Sequence, residues 1–163
     1  MSRPSPAEAR SQIVDIIDES ILQALDLSDS LEEERVALEC QDTDALHAVV
    51  VSKNERAEKL GDLDRKRGAL CQEWGFTPGP DQMDDLISWC DDDYAIGSRW
   101  AELLRIAAAG NTLNLTNGAI IRLRQQQFET SLSVLRGVTP GSDTYGRNGE
   151  ESGDFSRRSL AEA

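Results

Sequence analysis

Aromatic side chains are scarce, with Phe, Trp and Tyr making up 5% of the 163 residues. Apolar content rests on Leu, Ile, Val and Ala, a palette that suits helix–helix seams better than a β-sandwich. Histidine occurs once, as His47, with no second His and no Cys within helical reach. Zinc needs three or four convergent ligands and a general base needs an oriented partner, so His47 reads as an ordinary helix residue. Cys40, Cys71 and Cys90 lie far apart without CxxC spacing. An odd count with no secretory leader fits reduced thiols in a cytosol. Long apolar runs are missing too, since Asp15, Asp18 and Glu19 cut the Ile-rich stretch far short of the ~20 residues a membrane helix takes. The reading is a cytoplasmic protein with no membrane insertion.

Catalytic signatures are absent as well. There is no GxSxG elbow, no Walker loop and no dinucleotide fingerprint. Asp91-Asp92-Asp93 resembles a calcium cluster in composition only. A calcium loop alternates its ligands and ends on a distal Glu, whereas contiguous aspartates before an apolar run read as a helix start. No catalytic, cofactor-binding or metal-binding residue is assigned, and the chain is not read as an enzyme. Positive charge is in deficit: 17 Lys and Arg stand against 30 Asp and Glu, a net charge of −13. That balance excludes nucleic acid and anionic lipid surfaces as partners, and it permits a partner with basic or amphipathic segments.

What is present is helical periodicity. From 7 to 41 the apolar residues recur three and four apart: Ile13, Ile17, Ile21, Ala24 or Leu25, Leu31 and Leu38. Ser5 and Pro6 suit its entry, and Ser28-Asp29-Ser30 is expected to kink it. Asp42-Thr43-Asp44 predicts a tight turn with Asp44 as N-cap of a second, antiparallel helix over 45–73. Its seam is Leu46, Val49, Leu60, Leu63, Leu70 and Trp74, with Lys53, Arg56 and Arg67 laid along it by their stems. Gly75 closes it and Thr77-Pro78-Gly79-Pro80 breaks the chain. Asp81 caps a short helix over 82–90. A last long helix spans 93–136, ended by Gly137 and Pro140, with one stripe through Trp100, Leu104, Ala107, Asn111, Asn114, Gly118, Ile121, Gln125, Phe128, Leu132 and Leu135. Gly110 and Gly118 inside it point to a close helix approach, because each costs about 1 kcal/mol relative to Ala.

The fold class expected is therefore all-α, an elongated antiparallel, coiled-coil-like bundle of three long helices and one short one. The bundle occupies 1–137, and a flexible tail rich in Gly, Ser and charge follows over 138–163. Between Asp15 and Asp44 eleven acidic residues face one base, Arg35, whereas between Arg99 and Arg136 five arginines face Glu102 and Glu129. The last helix is thus expected to lie against the first. Three readings stay open for Asn111, Asn114, Asn117, Gln125, Gln126 and Gln127: a solvated polar face, interhelical amide bonds that fix register, or a docking strip for a ligand helix.

Particular residues carry a family resemblance. Asn117-Gly118 with Ile120-Ile121, the run Gln125-Gln126-Gln127, Leu132, Leu135, and then Tyr145-Gly146 with Gly149 resemble the C-terminal half of the flagella synthesis protein FlgN family. Leu31 to Leu38, Asp42 to Leu46 and Lys53 resemble its opening helices. The resemblance spans nearly all of residues 10 to 150. It implies a cytoplasmic chaperone of flagellar type III export that binds the C-terminal segments of hook-associated (hook–filament junction) proteins and delivers them to the export gate. It implies that the C-terminal third binds the client, through Asn111, Asn114, Asn117, Gly118, Ile121, Gln125, Phe128, Leu132 and Leu135. It implies too that Tyr145, with Gly146 and Gly149, docks on the export gate. The competing reading is a structural coiled-coil adaptor without an export role.

Overall fold

The computed structural model describes residues 4–137. Those residues form four helices and no strand: α1 (Pro6–Cys40), α2 (Thr43–Glu73), α3 (Gln82–Cys90) and α4 (Ala95–Leu135). Three are long and one short, as periodicity requires. The chain divides into two units after Leu123, within α4. The tail expected over 138–163, with Tyr145, Gly146 and Gly149, lies outside the described residues.

Local chemistry sets the helix ends. Ser5 opens α1 with a capping box: its hydroxyl and backbone N–H both donate to the Glu8 carboxylate, at 2.8 and 3.0 Å, and those bonds hold that carboxyl below its usual range. The hydrogen-bonded helix α1 runs unbroken through Ser28-Asp29-Ser30. The Ser30 hydroxyl donates to the Asp26 carbonyl at 3.0 Å and accepts from the Arg56 guanidinium of α2 at 2.7 Å. Gln41 ends α1 in the left-handed region at φ 57°, and the extended Asp42 caps α2 by accepting from the Ala45 N–H at 3.0 Å. Asp42, not Asp44, is the N-cap, because it is the residue whose backbone is extended at the turn. Asp81 precedes α3 without a side-chain capping bond.

Asp91 anchors α4, its two oxygens accepting from the Ile96 and Gly97 N–H groups at 2.9 and 2.8 Å. Two orphan donors of one helix end thus share one half-buried carboxylate. Asp91→Ala is expected to cost about 1–2 kcal/mol in a denaturant titration, at the upper part of the range for a lost N-cap, with Asp91→Asn recovering most of it.

Partner residues give the directions within the first unit. Arg10 meets Asp93 at 3.2 Å, Arg99 meets Asp18 at 2.7 Å, and Asn117 donates to the Leu31 carbonyl at 2.8 Å. These pairs advance together, so α1 and α4 run parallel. Lys53 pairs with Glu34 and Arg56 donates to the Ser30 hydroxyl, which makes α1 and α2 antiparallel. The Arg67 guanidinium lies over the Trp100 ring, 4.9 Å from its centroid, and sets α2 against α4. The result is an up-down-up arrangement of α1, α2 and α4 in the first unit, with the short α3 packed against α1.

The dry core sits at the α3 end. Ala9, Ile13, Ile17, Cys71, Trp74, Met83, Leu86, Cys90 and Ile96 are buried there as one cluster. Burial pushes the Cys71 and Cys90 thiols above their ordinary range, so both stay protonated and unreactive at neutral pH. On α1 the expected seam is met at Ile13, Ile17, Ala24, Leu31 and Leu38, with Ala24 inside and Leu25 out. On α4 the stripe is displaced. Leu104 is 51% exposed, and Ala107 and Asn111 are exposed, while Ile96, Ile106 and Asn117 are buried and Leu103 is half-buried. A Leu103-Leu104 pair gives periodicity no way to choose a phase, and burial of Asn117 chose it. Nor does Gly118 face another helix: a side chain there meets only Arg122 of its own helix, whereas one at Gly110 reaches Ser28 and Leu31 at ordinary contact distance.

Of the second unit, the described residues are the end of α4 and its stop at Gly137, φ 71°. Thr130 and Ser131 donate their hydroxyls to the Gln126 and Gln127 carbonyls at 2.8 and 2.9 Å.

Candidate functional site

Three features of the bundle bear on function. The first is a polar junction. Glu34 of α1 is 2% exposed, yet it is charged on a seam otherwise made of Leu31 and Leu38. Lys53 of α2 pairs with its Oε1, and Asn117 of α4 donates from Nδ2 to its Oε2 at 2.8 Å and to the Leu31 carbonyl at 2.8 Å. One carboxylate therefore joins three helices. Isolated burial of such a charge is costly, and here it is met by a cation and an amide. The Oδ1 of Asn117 finds no donor among the described residues.

The second feature is a cleft of about 490 Å³ beside this junction. Leu27, Leu31, Leu60, Leu103 and Ile106 give it an apolar lining, and Ala57, Ala107 and Gly110 leave it open because their side chains are small or missing. Asn54, Asn111 and Asn114 supply amides. The third feature belongs to the second unit. Phe128, Leu132 and Leu135 stand at i, i+4 and i+7 on one helix face, with Phe128 65% and Leu135 82% exposed.

The residues expected to bind a client are thus distributed rather than gathered. Asn111 and Asn114 line the cleft. Asn117 is inside the junction, where it makes interhelical bonds, and Gly118 and Ile121 are half-buried. Gln125 is exposed, and Phe128, Leu132 and Leu135 form the apolar face of the second unit. Sequence reasoning missed Glu34, although it stands in step with Leu31 and Leu38 at spacings of three and four. It treated Lys53 as a seam-lying stem, and it passed over Leu27, Ala57 and Leu103 of the cleft.

His47 is exposed on α2. Arg65 and Arg67 of α2 pair with Asp62 and Asp64 one turn earlier on the same helix. Among the described residues no group of His, Cys, Asp and Glu is arranged to hold a metal ion. No helix among them is long and apolar enough to cross a membrane.

Helices without a strand among the described residues, a buried cluster at the α3 end, an amide-lined cleft and an exposed apolar helix face define the class: an all-α bundle. The model of the FlgN protein family matches residues 9–153, and the chain belongs to the FlgN family. FlgN proteins are chaperones of flagellar export that bind flagellar proteins. No curated protein and no solved structure matches the chain.

Proposed function

We propose that this chain is a cytoplasmic export chaperone that binds the C-terminal segments of hook-associated proteins and delivers them to the type III export gate. The observation that carries the reading is the exposed face of Phe128, Leu132 and Leu135 near the end of α4, in a chain whose FlgN match runs through it to residue 153. An amphipathic client helix presents its own apolar face at i, i+3, i+4 and i+7, and it pairs with such a surface by excluding water rather than by charge. Gln125, exposed in the same unit, supplies a neutral amide donor and acceptor, suited to a client whose polar flank is uncharged.

The adaptor reading differs in what it predicts. An adaptor gains nothing from a hook-protein peptide, whereas a chaperone that binds it is stabilised by an amount that grows with the logarithm of peptide concentration above Kd. Thermal melting of the full chain with and without a synthetic peptide of a hook-associated protein's C-terminal segment tests this. A rise of several degrees at saturating peptide is expected, and an unchanged melting temperature refutes the reading.

Gate docking is assigned to Tyr145, with Gly146 and Gly149. An aromatic ring flanked by glycines offers contact area with little steric hindrance. Tyr145→Ala is expected to leave melting temperature and peptide affinity unchanged while lowering secretion of hook-associated proteins several-fold. Normal secretion, or a loss of folding, shows that Tyr145 has another role.

A further inference from the structure

The two ends of the first unit are held together by different means. Near α3 the contact is dry, made by Ile13, Ile17, Cys71, Leu86, Cys90 and Ile96. Away from α3 it mixes the two, with Glu34, Lys53 and Asn117 joined across helices among the buried Leu31, Leu38 and Ile106. A buried ion pair adds little net stability, because the cost of desolvation offsets most of the attraction. Water can also replace each of these bonds when the helices part. Asn117 adds an asymmetry. The residue is 1% exposed, its Nδ2 donates twice, and its Oδ1 has no donor among the described residues. Closing α4 onto α1 strips that oxygen of water without replacing it, and opening returns the water. The cleft lies beside the junction, and Lys53 belongs to both.

We propose that Glu34, Lys53 and Asn117 form a latch. The first unit opens at this end by parting α4 from the α1–α2 hairpin, while the α3 end stays closed. Opening widens the cleft so that it admits the aliphatic side chains of an amphipathic client segment. The coupling to a client rests on the chaperone reading above, whereas the opening does not. All three are positioning residues, which set how readily the cleft widens.

Hydrogen exchange on the full chain, read by mass spectrometry, tests the opening. Amides of 46–58 and 104–121 are expected to exchange at least about tenfold faster than those of 13–17, 70–74 and 83–90, since local opening follows the weakly held contacts. Asn117→Asp sets a second carboxylate against Glu34 and should speed exchange about tenfold further in the first two segments only. The triple variant Glu34→Leu, Lys53→Met, Asn117→Leu replaces the latch by apolar contacts. It should slow exchange there about tenfold, raise the melting temperature, and weaken binding of the hook-protein peptide at least about tenfold. Uniform exchange in the native chain, or equal acceleration of both ends by Asn117→Asp, overturns the latch. If the triple variant does not fold, Asn117→Asp alone decides. A chain that opens as described but binds no peptide refutes the chaperone reading and leaves the latch standing. A triple variant slowed in exchange that binds normally refutes the coupling.

Discussion

Replacing Phe128 and Leu135 together by serine is expected to weaken binding of a hook-protein C-terminal peptide by at least about 100-fold while moving the melting temperature by less than about 2 °C. Both side chains stand largely in water, 65% and 82% exposed, so the fold gains little from them. A partner that covers them removes most of that apolar area. Full burial of a Phe or Leu side chain contributes about 1.5–3 kcal/mol each. Two lost anchors therefore correspond to roughly 3–6 kcal/mol, and each 1.4 kcal/mol is a factor of ten in affinity. Titration calorimetry gives the affinity and a melting curve on the same sample gives the stability. Unchanged affinity would show that the client lies elsewhere on the chain.

Leu86→Ala should have the largest effect on stability of any single truncation to Ala in α3. Leu86 is fully buried at 0% exposure and belongs to the cluster that ties α3 to the start of α1, the end of α2 and the start of α4. Large-to-small changes at such positions cost about 2–5 kcal/mol, the sum of lost transfer energy and the cavity left behind. Against a total stability of about 5–15 kcal/mol that is a large share. Urea unfolding should show the midpoint falling with little change in slope. Leu104→Ala is the control, since a half-exposed leucine forms no cavity and should cost less than about 1 kcal/mol. If the two variants lose similar amounts, the packing phase of α4 is not the one described.

That pair of leucines also shows what the sequence made legible. The α1 seam was readable because Ile13, Ile17, Leu31 and Leu38 recur at helical spacing among many acidic neighbours. The break at Thr77 to Pro80 was readable because Pro and Gly restrict the backbone directly. The phase of α4 was not, because its middle reads AAAGNTLNLTNG, where small and polar residues alternate and no face stands out. The interhelical reading of the amides, one of three left open, applies to Asn117. The junction was hidden for another reason. Glu34 meets Lys53 at a separation of 19 residues and Asn117 at 83, and no local pattern encodes a pairing made only when three helices assemble. The one visible trace was a carboxylate in step with a leucine seam.

Parallel alignment of α1 with α4 has a consequence for how the chain is made. The bonds between them, Asp18 to Arg99 and Leu31 to Asn117, join residues 81 and 86 apart in sequence. During synthesis α1 and α2 leave the ribosome first, and their antiparallel hairpin can form from contacts between neighbouring segments. The third side of that hairpin stays uncovered until α4 has been translated. For that interval the nascent chaperone presents the same kind of surface as its proposed clients, an amphipathic helix waiting for a partner helix, and α4 is the first polypeptide to occupy it.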